Sequence, residues 1–106
     1  MDAVFHALAH GARRAIVAQL ADGEHTVGEL AAPLTMSLAA ASKHVKVLEQ
    51  AGLVRRTVDG RRHVCRLEPA PLASAAGWLA FYERHWLERL DALDALIRHD
   101  APEEER

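Results

Sequence analysis

The sequence has a single cysteine, Cys65, among its 106 residues. One thiol excludes an internal disulfide and any multi-cysteine metal cage within the chain. Aromatic residues make up only 5% of the sequence, and no apolar run is long enough to cross a membrane. Residues 1–10 have neither a basic start nor a long apolar core, so we expect no signal peptide and a cytoplasmic protein in a reducing compartment.

The sequence signatures of common enzymes are also missing. There is no nucleophile elbow, no phosphate-binding glycine loop, and no histidine-cysteine or carboxylate dyad. A chain of this length is too short for a doubly wound sheet or a barrel with a large cleft. We therefore expect one small domain over residues 1–100 that is not an enzyme and needs no cofactor, followed by an acidic tail over residues 101–106.

The net charge of −2 hides an uneven distribution. Between Ser37 and Leu67 there are seven lysines and arginines but two acidic residues, a balance of +5, so the rest of the chain carries −7. A compact basic segment on an otherwise acidic chain is typical of a local anion-binding surface. A solvated cluster of charges without a ligand is the alternative explanation.

Two helical segments are predicted in the first third of the chain. Apolar residues recur every three or four positions over residues 4–20, which indicates helix with a joint at His10–Gly11. Thr26 and Glu29 have the spacing of a capping box. They predict a short helix of about two turns that ends near Pro33.

The next predicted helix runs from Ser37 to Gln50, because Ser37 is a good N-cap and Gly52 a good C-terminal residue. At about 100° per residue, one face collects the apolar side chains of Leu38, Ala41, Val45 and Leu48. The opposite face collects Ala39, Lys43, Lys46 and Gln50. We expect the apolar face to pack on the core and the other face to be free to contact a ligand.

A basic β-hairpin is predicted to follow this helix. The segments Leu53–Val58 and His63–Leu67 are rich in β-branched residues and flank Asp59 and Gly60. An aspartate-glycine pair between such segments is the strongest short sequence signal for a hairpin. The hairpin carries five arginines, namely Arg55, Arg56, Arg61, Arg62 and Arg66.

A long last helix is predicted over approximately residues 72–98, after Pro69 and Pro71. Its apolar seam consists of Leu72, Leu79, Tyr82, Trp86, Leu90, Leu93 and Ile97, with Trp78 and Phe81 on a second edge. About 25 helical residues span about 40 Å, which is more than a chain of this size needs to cover its own core. We therefore expect this helix to pair with its copy in a second chain.

This order of elements is the layout of a winged helix-turn-helix domain, a mainly α fold with a small β-hairpin. The chain resembles the ArsR-type (arsenic-repressor-like) transcriptional regulators along nearly its whole length, through Phe5–Ala9, Arg13–Ile16, Met36–Val54 and Asp59–His63. The most specific parts of this resemblance are Ser42–Leu48 and Ala51–Val54.

The resemblance implies a sequence-specific repressor that binds a pseudo-palindromic site on double-stranded DNA as a homodimer. It implies a dimer interface between first and last helices that includes Phe5, Leu8, Leu79, Tyr82, Trp86, Leu90, Leu93 and Ile97. DNA contacts are expected at Ser37, Ala39, Ala40, Ser42, Lys43, His44, Lys46, Arg55, Arg56, Arg61 and Arg62. His44 lies toward the buried edge of its helix, so packing is the alternative role for this residue.

The sequence departs from the family pattern in two places. Relatives commonly have aspartate and proline before the paired arginines, whereas this chain has His10 and Gly11, so a looser joint is expected between the first two helices. Residues 39–41 are all alanine, and an alanine methyl offers bases only an apolar contact. Hydrogen-bonded readout of bases therefore depends on few side chains, chiefly Lys43.

The sequence is also compatible with two other functions. One is a winged helix that binds an acidic protein instead of DNA. The other is a metal-responsive repressor, because His6 and His10 are four residues apart and the last helix offers potential ligands at His85, Glu88, Asp91, His99 and Asp100. The Cys-x-Cys pair of the family's thiolate sensors is missing from residues 29–34, and the family's ligand spacing is missing from the last helix, so no metal site is expected.

Two further features are predicted to serve packing. Cys65 lies on a predicted strand, where a buried thiol acts as a small apolar side chain, with a reactive exposed thiol as the alternative. The four aromatic residues of the last helix are predicted to form interface core, with a pocket for a small apolar effector as the alternative: Trp78, Phe81, Tyr82 and Trp86. The sequence alone does not identify an effector.

Overall fold

The computed structural model describes residues 1–99. Its elements are α1 (Asp2–Leu8), α2 (Gly11–Leu20), β1 (His25–Thr26), α3 (Val27–Ala31), α4 (Leu38–Gln50), β2 (Val54–Asp59), β3 (Arg62–Leu67) and α5 (Pro69–His99). A single 3-10 turn, Ala32–Leu34, follows α3. The architecture is mainly helical with one small antiparallel sheet, which confirms the predicted fold class.

The chain divides into two compact units, Met1–Ala75 and a second unit that begins at Ala76. The first unit contains α1 to α4, the sheet and the first turns of α5. The second contains the rest of α5 as far as it is described. Asp100 and the acidic tail predicted over residues 101–106 lie outside the described residues.

Side-chain hydrogen bonds hold the joint between α1 and α2. His10 is the N-cap of α2, and its Nδ1 accepts the Ala12 backbone N–H at 3.2 Å, as an aspartate would. Arg13 Nε donates to the Ala7 carbonyl at 2.6 Å, and Arg14 Nη1 donates to the Leu8 carbonyl at 2.7 Å. The last turn of a helix has no internal partners for its carbonyls, so these arginines supply what the helix lacks. Three side chains thus restrain a joint that the sequence predicts to be loose.

The predicted capping box opens α3. The Thr26 hydroxyl accepts the Glu29 backbone N–H at 3.2 Å, and Glu29 Oε1 accepts the Thr26 backbone N–H at 2.8 Å. The helix itself spans only Val27–Ala31, and the 3-10 turn continues it. Together α3 and the 3-10 turn end next to Pro33, as predicted, and the second turn is 3-10 because Pro33 lacks the N–H that an α-helical bond would need.

Helix α4 begins and ends where the sequence predicts. Ser37 Oγ accepts the Ala40 backbone N–H at 3.1 Å. At the other end, the Gly52 N–H bonds the Glu49 carbonyl and the Leu53 N–H bonds the Leu48 carbonyl, each at 2.9 Å. This pair of bonds is a Schellman motif, and it requires the left-handed backbone that Gly52 adopts at φ 78°.

The predicted inner face of α4 is correct at three of four positions. Ala41, Val45 and Leu48 have no exposed surface. Leu38, by contrast, is 61% exposed, so its predicted burial is wrong. Leu38 is the first residue of the helix and lines an open cleft toward the hairpin instead of packing on the core.

The hairpin forms the predicted ribbon in a slightly different register. Asp59 pairs with Arg62, so the two turn residues are Gly60 and Arg61 rather than Asp59 and Gly60. Gly60 has φ 62°, and glycine at the first turn position suits a type II′ turn, which matches the right-handed twist of the strands. The third strand, β1, pairs with the other edge of β3. It was not predicted from the sequence, because two residues are too few to show an alternating pattern.

Helix α5 is longer than predicted. It begins at Pro69 and contains 31 residues, about 46 Å at 1.5 Å per residue. Pro69 and Pro71 belong to its first turn, where a missing backbone N–H leaves no hydrogen bond unmade, so they do not delay the helix. No helix within residues 1–99 is long and apolar enough to cross a membrane.

The core lies in the first unit and draws on its helices and its sheet. Its largest fully buried side chains are Ile16, Leu30, Val45, Leu48, Leu53 and Cys65. Burial raises the pKa of the Cys65 thiol, so the thiolate is disfavoured. The prediction that Cys65 is a buried packing residue is confirmed.

Candidate nucleic-acid interface

The outward face of α4 is available for contact. Lys43 and Lys46 are exposed, as is Ala39, and neither lysine forms an ion pair within residues 1–99. Ala40 and Ser42 are half-buried beside this face. Ser37 is exposed at the N-terminus of the helix, and its Oγ is used as a capping acceptor. The hydroxyl hydrogen of Ser37 remains able to donate, so capping does not prevent a phosphate contact.

His44 is anchored inside the first unit. It is half-buried, its Nδ1 lies 3.4 Å from Arg13 Nη1, and its ring centroid is 4.7 Å from that of His10. Burial lowers the pKa of His44, and the nearby charges of His10 and Arg13 lower it further. Of the two roles that the sequence left open, these contacts support packing. They connect α4 to the joint between α1 and α2.

The pH dependence of folding should report this cluster. The folded protein holds the pKa of His44 below its ordinary value, so the unfolded chain binds a proton first as the pH falls. We expect the contribution of His44 to the free energy of unfolding to be complete above about pH 6.5, to be lost as the pH falls from there to the lowered pKa, and to change no further below it.

Urea unfolding followed by circular dichroism at pH 8 and pH 5 measures this dependence. His44→Gln, which cannot titrate, should flatten the decline, and His63→Gln on the exposed part of the hairpin is the matched control. An unchanged decline in His44→Gln would assign the effect to other groups.

Two of the five hairpin arginines have acidic partners. Arg56 Nη2 lies 2.6 Å from Glu49 Oε1, and about a quarter of each side chain is exposed. That oxygen has no solvent contact and no well-aligned hydrogen bond, so the approach is an ion pair that ties the hairpin to α4. Arg55 Nε lies 3.2 Å from Glu68 Oε1, and Arg55 is 63% exposed.

These partners were not found from the sequence. Glu68 follows β3 directly, and the pairing of Arg55 with Arg66 places it close to Arg55, so the hairpin register contains this signal. Glu49 lies on a different element from Arg56, and nothing local in the sequence joins them. Arg61 and Arg62 are exposed at the hairpin turn and have no ion-pair partner in the described part of the chain.

A cleft lies between α4, the start of α3 and the hairpin. Its volume is about 450 Å³, and it is lined by Thr26, Val27, Gly28, Leu38, Ser42, Arg56, Arg61, Arg62 and His63. Glu29 is nearby: hydrogen bonds from Thr26 lower the pKa of its carboxyl, and the charges of His25 and Arg62 add to the effect. The cleft therefore joins the exposed face of α4 to the cationic turn of the hairpin.

The residues predicted to form the dimer interface fall into two groups. Phe5 and Leu8 on α1 are half-buried against the core of the first unit. In the second unit the predicted side chains of α5 are 41–61% exposed: Leu79, Tyr82, Trp86, Leu90, Leu93 and Ile97. Trp78 packs on Tyr82 with ring centroids 4.7 Å apart, and Phe81 stacks on His85 with centroids 6.5 Å apart.

His6 and His10, whose spacing suggested a pair of metal ligands, lie on different elements. His6 lies on α1 whereas His10 caps α2, so the two imidazoles do not share one helical face. Their spacing in the sequence is therefore misleading, because the helix breaks between them. Among the side chains that the structure describes, those of residues 1–98, no three from histidine, cysteine, aspartate or glutamate are grouped to hold an ion.

Comparison with known proteins identifies the family. A model described as a helix-turn-helix domain matches residues 8–57. The HTH-type transcriptional regulator Rv2034 of Mycobacterium tuberculosis is 44% identical over 96 residues, which span 91% of this chain and 87% of that protein. The crystal structure of an ArsR family transcriptional regulator, RHA00566, is 38% identical and aligns with a TM-score of 0.74 over 80% of this chain and 93% of the other. The chain belongs to the ArsR family of transcriptional regulators.

A possible ArsR-family transcriptional regulator with a similar structure is a homodimer. The solution NMR structure of a homodimeric winged helix-turn-helix DNA-binding domain, Mb0332 of Mycobacterium bovis, is 31% identical. It aligns with a TM-score of 0.64 over 83% of this chain and 82% of that one. As an ArsR-family protein with a helix-turn-helix domain, the chain is a DNA-binding transcriptional regulator and not an enzyme.

Proposed function

We propose that this ArsR-family protein is a cytoplasmic repressor that binds a pseudo-palindromic operator as a homodimer. In this proposal each α4 enters the major groove, and each hairpin lies along the neighbouring phosphates. The half-sites are about 34 Å apart, one turn of the duplex, so that two copies related by a twofold axis meet successive grooves.

The observation that supports the DNA-binding surface is a set of exposed cations on α4 and at the hairpin turn that have no ion-pair partner within residues 1–99. Lys43 and Lys46 lie on the exposed face of α4, and Arg61 and Arg62 lie at the hairpin turn, all in the first unit. Phosphate contacts need exposed charge within reach, which these four side chains provide. The sequence-predicted contacts at Ser37, Ala39, Ala40 and Ser42 lie on or beside the same face of α4.

The ion pairs of Arg55 and Arg56 indicate how readily each arginine could contact a phosphate instead. Arg55 is 63% exposed and paired with Glu68, so it can exchange its carboxylate for a phosphate at small cost. Arg56 is more enclosed and paired with Glu49, which gives it a positioning role for the hairpin. His44 is proposed to position α4 through Arg13 instead of contacting the DNA backbone.

The apolar side chains of α5 support the dimer. Leu79, Tyr82, Trp86, Leu90, Leu93 and Ile97 recur every three or four residues and therefore share one side of the helix. Their exposed fractions of 41–61% leave an apolar stripe of a kind that soluble monomers rarely present. Phe5 and Leu8 are proposed to extend this interface from α1.

Salt dependence tests DNA binding by this surface. Operator fragments are selected by binding from the source genome, and their dissociation constants are measured by fluorescence anisotropy at several salt concentrations. If the dimer neutralises about ten phosphates, log affinity should fall with log salt with a slope near −9. A winged helix that serves to bind an acidic protein would give weak binding, a shallow slope and no preference among duplexes.

Two substitutions separate base reading from phosphate contact. Lys43→Ala should cost about 1–3 kcal/mol on the operator and little on unrelated duplexes, because its ammonium can donate to guanine in the major groove. Arg61→Ala should weaken binding to all duplexes to a similar extent and reduce the salt slope by about 1. Equal losses on operator and unrelated DNA for Lys43→Ala would remove its proposed role in base recognition.

A further inference from the structure

The cleft between α4, the start of α3 and the hairpin is a cavity as well as part of a DNA-facing surface. At about 450 Å³ it falls within the range of about 300–1,000 Å³ that is typical of small-molecule sites. Two of its lining residues are apolar: Val27 is 5% exposed, and Leu38 is 61% exposed. A phosphate group alone would leave the Leu38 side chain in water.

The charges of the cleft suit an anion of single charge. Three arginines line it; Glu49 forms an ion pair with one of them, Arg56, and the charge of Arg62 acts on Glu29. The arginines exceed these carboxylates by one positive charge. A planar guanidinium binds a carboxylate or sulfonate through two parallel hydrogen bonds, and the half-buried Ser42 hydroxyl offers a further donor.

We propose that this cleft binds a small monoanion with an apolar body, and that the bound anion competes directly with DNA. The apolar body covers Leu38 and Val27, and the acidic group engages Arg62 with Arg61 beside it. The competition rests on the proposed function, since Arg61 and Arg62 are also the proposed phosphate contacts of the hairpin turn. While these guanidiniums bind the anion, they cannot contact the DNA phosphates. DNA release therefore needs no conformational change at a distant site.

The first experiment measures the anion alone, without DNA. Isothermal titration calorimetry of the full chain with 2-naphthoate should show one site per chain, with a dissociation constant on the order of 10⁻⁴ to 10⁻³ M for a ligand of this size. The neutral analogue 2-naphthylmethanol and the small anion acetate should each bind at least about tenfold more weakly, because each lacks half of the required chemistry.

Three variants locate the site. Leu38→Ser and Arg62→Gln should each weaken 2-naphthoate binding about tenfold, through lost apolar contact and lost charge respectively. Arg66→Gln removes one positive charge from the same hairpin outside the residues that line the cleft, and it should bind within about twofold of the unmodified protein. The proposal would be overturned if Leu38→Ser or Arg62→Gln bound 2-naphthoate as tightly as the unmodified protein, or if 2-naphthylmethanol bound as tightly as 2-naphthoate.

The second experiment adds the operator. At ten times its own dissociation constant, 2-naphthoate should raise the apparent dissociation constant for DNA about elevenfold, and acetate at the same ionic strength should not. Leu38→Ser should bind DNA but lose this response. Anion binding at the mapped site with no effect on DNA would overturn the competition. A failure of all variants and the unmodified protein to bind DNA would contradict the proposed function, while the calorimetry would still decide whether the cleft binds the anion.

Discussion

Trp86→Glu is expected to convert the protein from dimer to monomer at micromolar concentration. Trp86 is 61% exposed and lies near the middle of the apolar stripe of α5, so a dimer built on this stripe would bury the new carboxylate in each chain. A buried charge without a partner is costly enough to prevent association. Operator affinity should fall by about 10²–10⁴-fold, because the two half-sites would no longer be bound by one linked molecule.

Analytical ultracentrifugation and operator binding measure the two effects in the same samples. Leu87→Glu is the matched control, because it is the neighbouring residue, is 50% exposed and lies outside the stripe. It should remain a dimer and bind the operator within about threefold. A dimeric Trp86→Glu protein with full affinity would show that the two copies pair through other surfaces.

Arg13→Ala is expected to lower the free energy of unfolding by about 2–3 kcal/mol. Arg13 donates from Nε to the Ala7 carbonyl and from Nη2 to the His6 carbonyl at 3.2 Å, and its Nη1 faces His44 Nδ1. Alanine leaves the last carbonyls of α1 without these donors and removes a positive charge that the helix C-terminus favours. It also frees α4 from the joint between α1 and α2.

Urea denaturation measures the loss, and Arg14→Ala is the control on the adjacent residue. Arg14 is exposed, and within residues 1–99 its side chain makes one hydrogen bond, to the Leu8 carbonyl, so its replacement should cost less than about 1 kcal/mol. Arg13→Lys should recover part of the stability, because an ammonium restores the charge but not the forked geometry. Similar losses in Arg13→Ala and Arg14→Ala would contradict a special role for Arg13.

The elements that sequence reasoning predicted well are those with local signals. The capping box at Thr26, the N-cap at Ser37 and the Schellman glycine Gly52 each depend on residues within five positions, so short patterns predicted all three boundaries. The same reasoning was misleading for His6 and His10, whose spacing of four residues suggested that they share one helical face. A helix break lies between them, and spacing has meaning only inside one helix.

The sequence predicted which basic residues form the candidate site, but it predicted the roles of only some of them. Basic residues on one helix face and one hairpin indicated an anion-binding surface, and the structure places them in one unit. Which arginines are free could not be predicted, because Glu49 reaches Arg56 from another element. The burial of His44 against Arg13 likewise joins residues 31 positions apart.

The sequence by itself determined the start of α3, both ends of α4, the basic hairpin, the burial of most of the inner face of α4 and the family resemblance. The structural features follow from periodicity, capping and turn residues, which act between neighbours in the chain, and the resemblance follows from short residue motifs. Only the tertiary structure decided that Leu38 faces an open cleft, that two arginines of the hairpin are paired while two at its turn are not, and that an arginine near the first joint holds His44. The reason is that burial and charge pairing depend on which distant elements pack together, and no local pattern records that arrangement.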